Sequence, residues 1–293
     1  MTKAFLGLPA PAKLNLFLHV TGRRPDGKHL LQSAFVLIDL CDTIDVTLRE
    51  DGAVVRTGDV VGEVEKDLCV RAARALQEAT GVRLGAEIRL EKRIPSQAGM
   101  GGGSSDAATV LLALNRLWGL GLGRAELMRI GLTLGADVPF FLFGQNAWAE
   151  GIGEELRPLS LPPSQFLVVW PGRGLSTAEI FSHPSLTRNT KSEKMEVFSD
   201  FVRHHGSPLF GRNDLQAVAE RLEPRVSDAL SRIRRRGFEA RMTGSGSAVF
   251  ALVSDADRAA RAARDVLSDL PDDWRGFLCR MMAEHPLAAW CTE

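Results

Sequence analysis

Between Pro95 and Ala107 the chain reads Pro-Ser-Gln-Ala-Gly-Met-Gly-Gly-Gly-Ser-Ser-Asp-Ala, and apolar residues with helical spacing follow at Val110, Leu111, Leu114, Leu117 and Trp118. Gly99, Gly101, Gly102 and Gly103 free their backbone N–H groups from side-chain bulk just ahead of a helix start. There the N–H groups and the positive end of the helix dipole can converge on an anion. Phosphate is the natural guest, and Pro95 opens the loop. The hydroxyls of Ser104 and Ser105 add donors, or an oxygen ligand for a phosphate-bound magnesium ion. Glycines also make tight turns and Ser-Ser-Asp is an ordinary helix start, but four glycines within five positions exceed what a cap needs. No Gly-x-x-x-x-Gly-Lys-[Ser/Thr] is present, Ser104 stands where a dinucleotide fingerprint needs its third glycine, and protein-kinase signatures are absent.

The elements that must position this loop can be read from periodicity. From Lys13 to Val20 the residues alternate, predicting a half-buried strand with Leu14, Leu16, Leu18 and Val20 on one face and Lys13, Asn15, Phe17 and His19 on the other. Thr21 to Gly27 has the composition of a turn, and strands are expected at 34–39, 44–48 and 86–91. The spacing predicts helices at 67–80, closed by Gly81, at 104–118, capped by Ser104 or Ser105, and at 124–134. Ala136 to Phe143 reads as a strand-like stretch. Polar, proline-bearing residues around 153–163 suggest a linker, dividing the chain into domains at 1–155 and 156–293. In the second, strands at 166–170 and 248–253 interleave with helices at 213–222, 224–236 and 255–268, while 182–208 reads as an exposed loop. Arg232 to Arg236, before Gly237, is a helix end with cations on its carbonyls. Thr243-Gly-Ser-Gly-Ser247 is either a tight turn into a strand or a second glycine loop over the site. No internal repeat is found.

Lys and Arg number 36 and Asp and Glu number 36, so there is no net field for nucleic acid or an anionic membrane surface. Cys41, Cys69, Cys279 and Cys291 lack the spacing of a zinc site or a disulfide framework, which suits a reducing cytoplasm. The first residues are too short an apolar run for a signal segment and no run is long enough to cross a bilayer, so a soluble, cytoplasmic enzyme is expected.

The order Pro-x-x-x-Gly-x-Gly-Gly-Gly-Ser-Ser-x-Ala-Ala resembles the signature of the GHMP kinases. Pro11 to Gly27, Leu134-Gly-Ala-Asp-Val-Pro-Phe140, Ala149 to Gly153, Arg188-Asn-Thr190 and Arg241 to Phe250 are similar to the branch that acts on 4-diphosphocytidyl-2-C-methyl-D-erythritol. The resemblance runs from about Pro9 to at least Phe250 and implies an α+β, two-lobed fold. Its ATP-binding lobe would contain a left-handed βαβ unit, and its second lobe would be ferredoxin-like. It implies ATP, with Mg2+, as phosphoryl donor to the C2 hydroxyl of the methylerythritol unit, in the non-mevalonate isoprenoid pathway. Lys13 and Asp137 match the catalytic pair. Asn15 falls near the reacting alcohol, Thr177 near the diphosphate, and His29 and Phe181 around the cytosine. Lys28 replaces the tyrosine usual in that family, in a chain with no tyrosine, and could cover the base by a cation–π contact or reach a phosphate. Met100 stands for the usual leucine. Another GHMP kinase acting on homoserine, mevalonate or a sugar, and a non-catalytic nucleotide-binding protein of the same fold, are the alternatives. Metal ligands and oligomeric state are not implied.

Overall fold

In the computed structural model, which describes residues 3–59, 63–253 and 257–291, the chain opens with two long antiparallel strands, β1 (Ala4–Arg23) and β2 (His29–Arg49). The turn between them uses Gly27 at φ 87°. The expected half-burial of the first strand does not hold. Lys13, Asn15, Phe17 and His19 are as buried as Leu14 and Leu16, because the second lobe covers the face that alternation assigns to solvent. The two strands expected at 34–39 and 44–48 are one. The register slips between Pro11 and Ala12, so the residues that read as a break form a bulge inside β2.

β3 (Val54–Gly58) and β4 (Gly85–Glu91) pair in parallel, with α1 (Leu68–Thr80) crossing between them. Asp67 caps α1 by accepting a bond from the Cys69 N–H, and Gly81 ends it at φ 69°. α2 (Gly102–Leu117) starts two residues earlier than the spacing predicts. Its N-cap is Gly101 at φ 71°, and Ser104 and Ser105 sit inside its first turns rather than capping it. α2 is buried along most of its length from Ser105 to Asn115, against β1, β2 and α1. α3 (Arg124–Leu134) follows. The stretch read as strand-like is helix α4 (Val138–Phe143): Pro139 falls in its first turn, where no intrahelical N–H bond is lost, and Gly144 ends it at φ 79°.

β5 (Ala147–Glu150) and β6 (Glu155–Pro158) form a hairpin on β2, so the polar stretch from 153 starts in the hairpin turn and continues as a paired strand. Beyond it come β7 (Gln165–Trp170), α5 (Thr177–Ser182) and α6 (Met195–His205). α6 lies in the region read as an exposed loop. Phe198 and Val202, four apart on one face, are buried, and Phe198 meets Phe17, Trp148 and Phe210 at ring separations of 5.7–5.8 Å. Removing so enclosed an aromatic costs about 3–5 kcal/mol, so this helix is part of the core. α7 (Gln216–Leu222), α8 (Pro224–Arg235), β8 (Ala240–Met242), β9 (Val249–Val253), α9 (Asp257–Ser268) and β10 (Arg275–Met282) complete the order. The last turn of α8 carries Arg232, Arg234 and Arg235. Of the helix expected from 255, the first two residues lie outside the described residues.

β10-β7-β9-β8 is an antiparallel sheet with the strand order of a ferredoxin-like layer, and α7, α8 and α9 pack on one face of it. β10 then reaches β2 through Met281 and Met282, and Leu287 and Cys291 join the first-lobe core. A third core cluster, including Leu14, Phe17, Met100, Phe166 and Phe250, fills the space between the two sheets, directly behind the glycine loop.

Candidate active site

A cavity of about 660 Å³ opens where the glycine loop, the middle of β1, the N-terminus of α4 and the β7–α5 segment converge. Lys13 enters it from β1. Its side chain is 4% exposed, its Nζ donates to Asn15 Oδ1 at 2.5 Å and lies 3.6 Å from Asp137 Oδ2, and it stands 4.9 Å above the Phe35 ring. Strand alternation puts Lys13 and Asn15 on one side, as the sequence requires. Asn15 is anchored further by its Nδ2 donating to Ser33 Oγ, and by its own N–H donating to Thr243 Oγ1 at 2.9 Å. Asp137 occupies the N-cap position of α4, yet its carboxylate makes no capping bond. It is therefore left facing the lysine, at 35% exposure.

The glycine loop wraps this pair. The Lys13 N–H donates to Met100 O at 3.0 Å, and a Cβ on Gly101 would sit 3.2 Å from Lys13 Cγ. At Gly99 a Cβ would come within 2.3 Å of Thr243 O, and at Gly244 within 2.5 Å of Gly99 O. The second glycine loop is thus packed under the first, with Ala248 N–H donating to Ala98 O. Both readings of Thr243 to Ser247 apply: it leads into β9, and it brings Gly244 and Ser245 into the cavity wall.

Pro95, Gly99, Gly101, Gly102, Gly103 and Ser104 line the cavity, together with Lys13, Asn15, Asp137, Thr177 and Phe181. Ser105 does not. It is fully buried behind the loop, its hydroxyl without a partner. Thr177 shares a hydrogen bond of 2.7 Å with Ser245 Oγ. His29 lies outside the cavity wall and stacks on Phe181 at 4.9 Å and 28°, while Arg188 Nε donates to His29 Nε2 at 3.1 Å. Burial, then the Arg188 and Arg23 charges, hold the His29 pKa below its ordinary value, so the ring is neutral with its proton on Nδ1. Lys28 is exposed at the turn and the structure does not bring it to the cavity.

Sequence reading passed over a charged cluster behind the loop. Lys92 Nζ bonds Asp106 Oδ2 at 2.8 Å and also Asp42, whose other oxygen accepts the N–H groups of Arg93 and Ile94. One ammonium serves two carboxylates. Burial above all, then Asp42, raises the Asp106 pKa to about 7, while Lys92 opposes the rise. A lysine after a strand reads as a solvated end, so nothing in the local pattern marked it. Among the described residues no group of three His, Cys, Asp or Glu could hold a metal ion.

The pattern of the GHMP kinases N terminal domain matches residues 67–145 and that of the GHMP kinases C terminal matches residues 202–272. A 4-diphosphocytidyl-2-C-methyl-D-erythritol kinase from Paracidovorax citrulli is 59% identical over 98% of this chain and 97% of its own length. Its counterpart from Ralstonia nicotianae is 56% identical over 97% and 96%. A crystal structure of 4-(cytidine 5'-diphospho)-2C-methyl-D-erythritol kinase, 36% identical, superposes with a TM-score of 0.77 over 95% of this chain and 98% of that one. The homoserine kinase from Cytophaga hutchinsonii, 16% identical, has a TM-score of 0.69 over 97% and 96%, a likeness of fold alone.

Proposed function

The chain belongs to the GHMP kinase family, in its 4-diphosphocytidyl-2-C-methyl-D-erythritol kinase branch, and on that premise we propose that Lys13 and Asp137 carry its chemistry. It is an ATP-dependent kinase that phosphorylates the C2 hydroxyl of 4-diphosphocytidyl-2-C-methyl-D-erythritol, giving the 2-phosphate and ADP, in isoprenoid precursor synthesis. The observation behind the residue assignment is the approach of the Lys13 ammonium to the Asp137 carboxylate at 3.6 Å, beside Gly101.

Phosphoryl transfer asks a protein mainly to position two oxygens and to balance charge. Asp137, uncommitted to its helix cap, accepts or directs the proton of the C2 hydroxyl. Lys13, held by Asn15 and by the loop carbonyl, stabilises negative charge on the attacking oxygen and on the transferring group. The N–H groups of Gly101 to Gly103 hold the nucleotide phosphates. The cavity between the loop and Thr177 takes the polyphosphate. ATP supplies the phosphoryl group, and a Mg2+ ion on its phosphates, within reach of Ser104, would neutralise their charge. Among the described residues no trio of His, Cys, Asp or Glu is placed to cage it, and such an ion would be held mainly by the nucleotide and water. Thr177 and Ser245 face the diphosphate of the second substrate, and Phe181, backed by His29 from outside the cavity wall, faces its cytosine. The four cysteines are free, in keeping with a cytoplasmic enzyme, and no helix among the described residues is long and apolar enough to cross a membrane.

ADP release measured on a panel of alcohols tests this assignment. Turnover of the cytidyl compound, none of mevalonate or homoserine, and loss of turnover in Asp137→Asn are expected. An unaffected Asp137→Asn enzyme would remove Asp137 from its role.

A further inference from the structure

Gln97 is the one described residue other than glycine with a positive φ, at 54°. It stands inside the phosphate loop, where glycine would adopt the same backbone freely. A side chain kept at such a position needs a compensating contact, and the contact is with the other lobe. Gln97 O accepts the Leu175 N–H at 3.2 Å. The Cβ that Gly174 lacks would meet Gln97 Cβ at 2.5 Å and Oε1 at 2.8 Å. Gly174 and Leu175 lead directly into Ser176 and Thr177, and Gln97, Leu175, Ser176 and Thr177 all line the cavity.

We propose that Gln97 is a positioning residue that clasps the phosphate loop to the Gly174–Thr177 segment, so that nucleotide phosphates and the acceptor's diphosphate are held in register by one rigid unit. The inference rests on the functional reading above. It differs from the neighbouring contact of the two glycine loops, which is made by backbone alone. At Gln97 a side chain of the loop fits a gap that only glycine leaves in the facing segment. Because the clasped segments move together, a substrate that places one of them also places the other, which appears as a coupling between the two affinities.

Four variants test it: Gln97→Gly, Gly174→Ala, the double variant and Gln97→Asn. Gln97→Gly relieves the backbone, so its Tm should equal or exceed that of the parent. Its acceptor KM should rise about fivefold, within the span of ordinary couplings. The tightening of a non-hydrolysable ATP analogue by the acceptor, read by calorimetry, should fall by the same factor. Gly174→Ala should be impaired more than this, and adding Gln97→Gly should bring it most of the way back to the level of Gln97→Gly alone, because Cβ and Oε1 are gone and only the backbone oxygen of residue 97, at 3.3 Å, still presses on the new Cβ. Gln97→Asn, which keeps Cβ and tolerates the left-handed backbone, should retain the coupling. The clasp is overturned if Gln97→Gly keeps the parent's KM and coupling, or if the double variant is no better than Gly174→Ala. Failure of the functional reading looks different, since the parent enzyme itself would then not turn over the cytidyl compound.

Discussion

The two ends of the cavity are built in opposite ways. At the proposed reacting end, Lys13 and Asn15 come from the middle of a strand buried on both faces and are held by side-chain and backbone hydrogen bonds, while Asp137 comes from a helix start and faces Lys13. At the proposed base end the groups come from the edges of elements, with Lys28 in the turn, His29 at the first residue of β2 and Phe181 in the short helix α5. Lys28 points to solvent, His29 stacks on Phe181 instead of leaving a slot, and Arg188 ties both through its bonds to His29 Nε2 and Phe181 O. Chemistry needs positions fixed to a fraction of an ångström and tolerates no alternative. Recognition of a flat base can be completed by a shift of loops, at the cost of ordering them.

That contrast can be broken most decisively at the reacting end. Asp137→Asn should lower kcat by about 10²–10⁴-fold with an unchanged circular dichroism spectrum, because the carboxylate is a third exposed and caps nothing. At the base end the loss should appear in binding instead. Phe181→Ala should raise the KM for the cytidyl substrate about 10–100-fold, the value of a stacked base, and leave the KM for ATP alone. Equal losses in kcat and KM would mean that Phe181 also shapes the reacting end.

Behind the phosphate loop the effect should be smaller and follow pH. The Asp106 pKa rises on folding from 3.8 to about 7, chiefly through burial. The folded state therefore keeps a proton that the unfolded chain releases, and the parent loses stability as pH climbs through that window. Asp106→Asn removes the titration, so its Tm relative to the parent should move in its favour between those two values, by a few degrees in calorimetric scans. A pH-independent difference would mean that Lys92 keeps Asp106 ionised throughout. The smallest effect belongs to Lys28→Ala, which should change either KM by less than about threefold, as an exposed substitution away from the cavity. A larger change would show that the turn closes over the base.

Much of this was legible residue by residue. The glycine loop, the helix ending at Gly81 and the shared side of Lys13 and Asn15 follow from local rules of backbone freedom and strand alternation, which need no partner. α6 was missed because its face, Phe198 with Val202, is narrow and set in a polar segment. The α4 segment was misread because a short apolar run fits helix or strand equally well. The burial of His19 and Phe17 could not be foreseen from a pattern that describes one strand and not what lies on top of it.

From the sequence alone came the glycine loop, the identity of the kinase family, and the residue types at the proposed reacting centre, since each is carried by a short ordered motif. Only the tertiary structure decided that the Asp137 carboxylate is released from its cap to face Lys13, that Ser105 is withdrawn behind the loop, and that Gln97 meets Gly174 across two lobes. Those are contacts between residues tens of positions apart, and their distances are set by how β1, α2 and the second sheet pack, which no local spacing encodes.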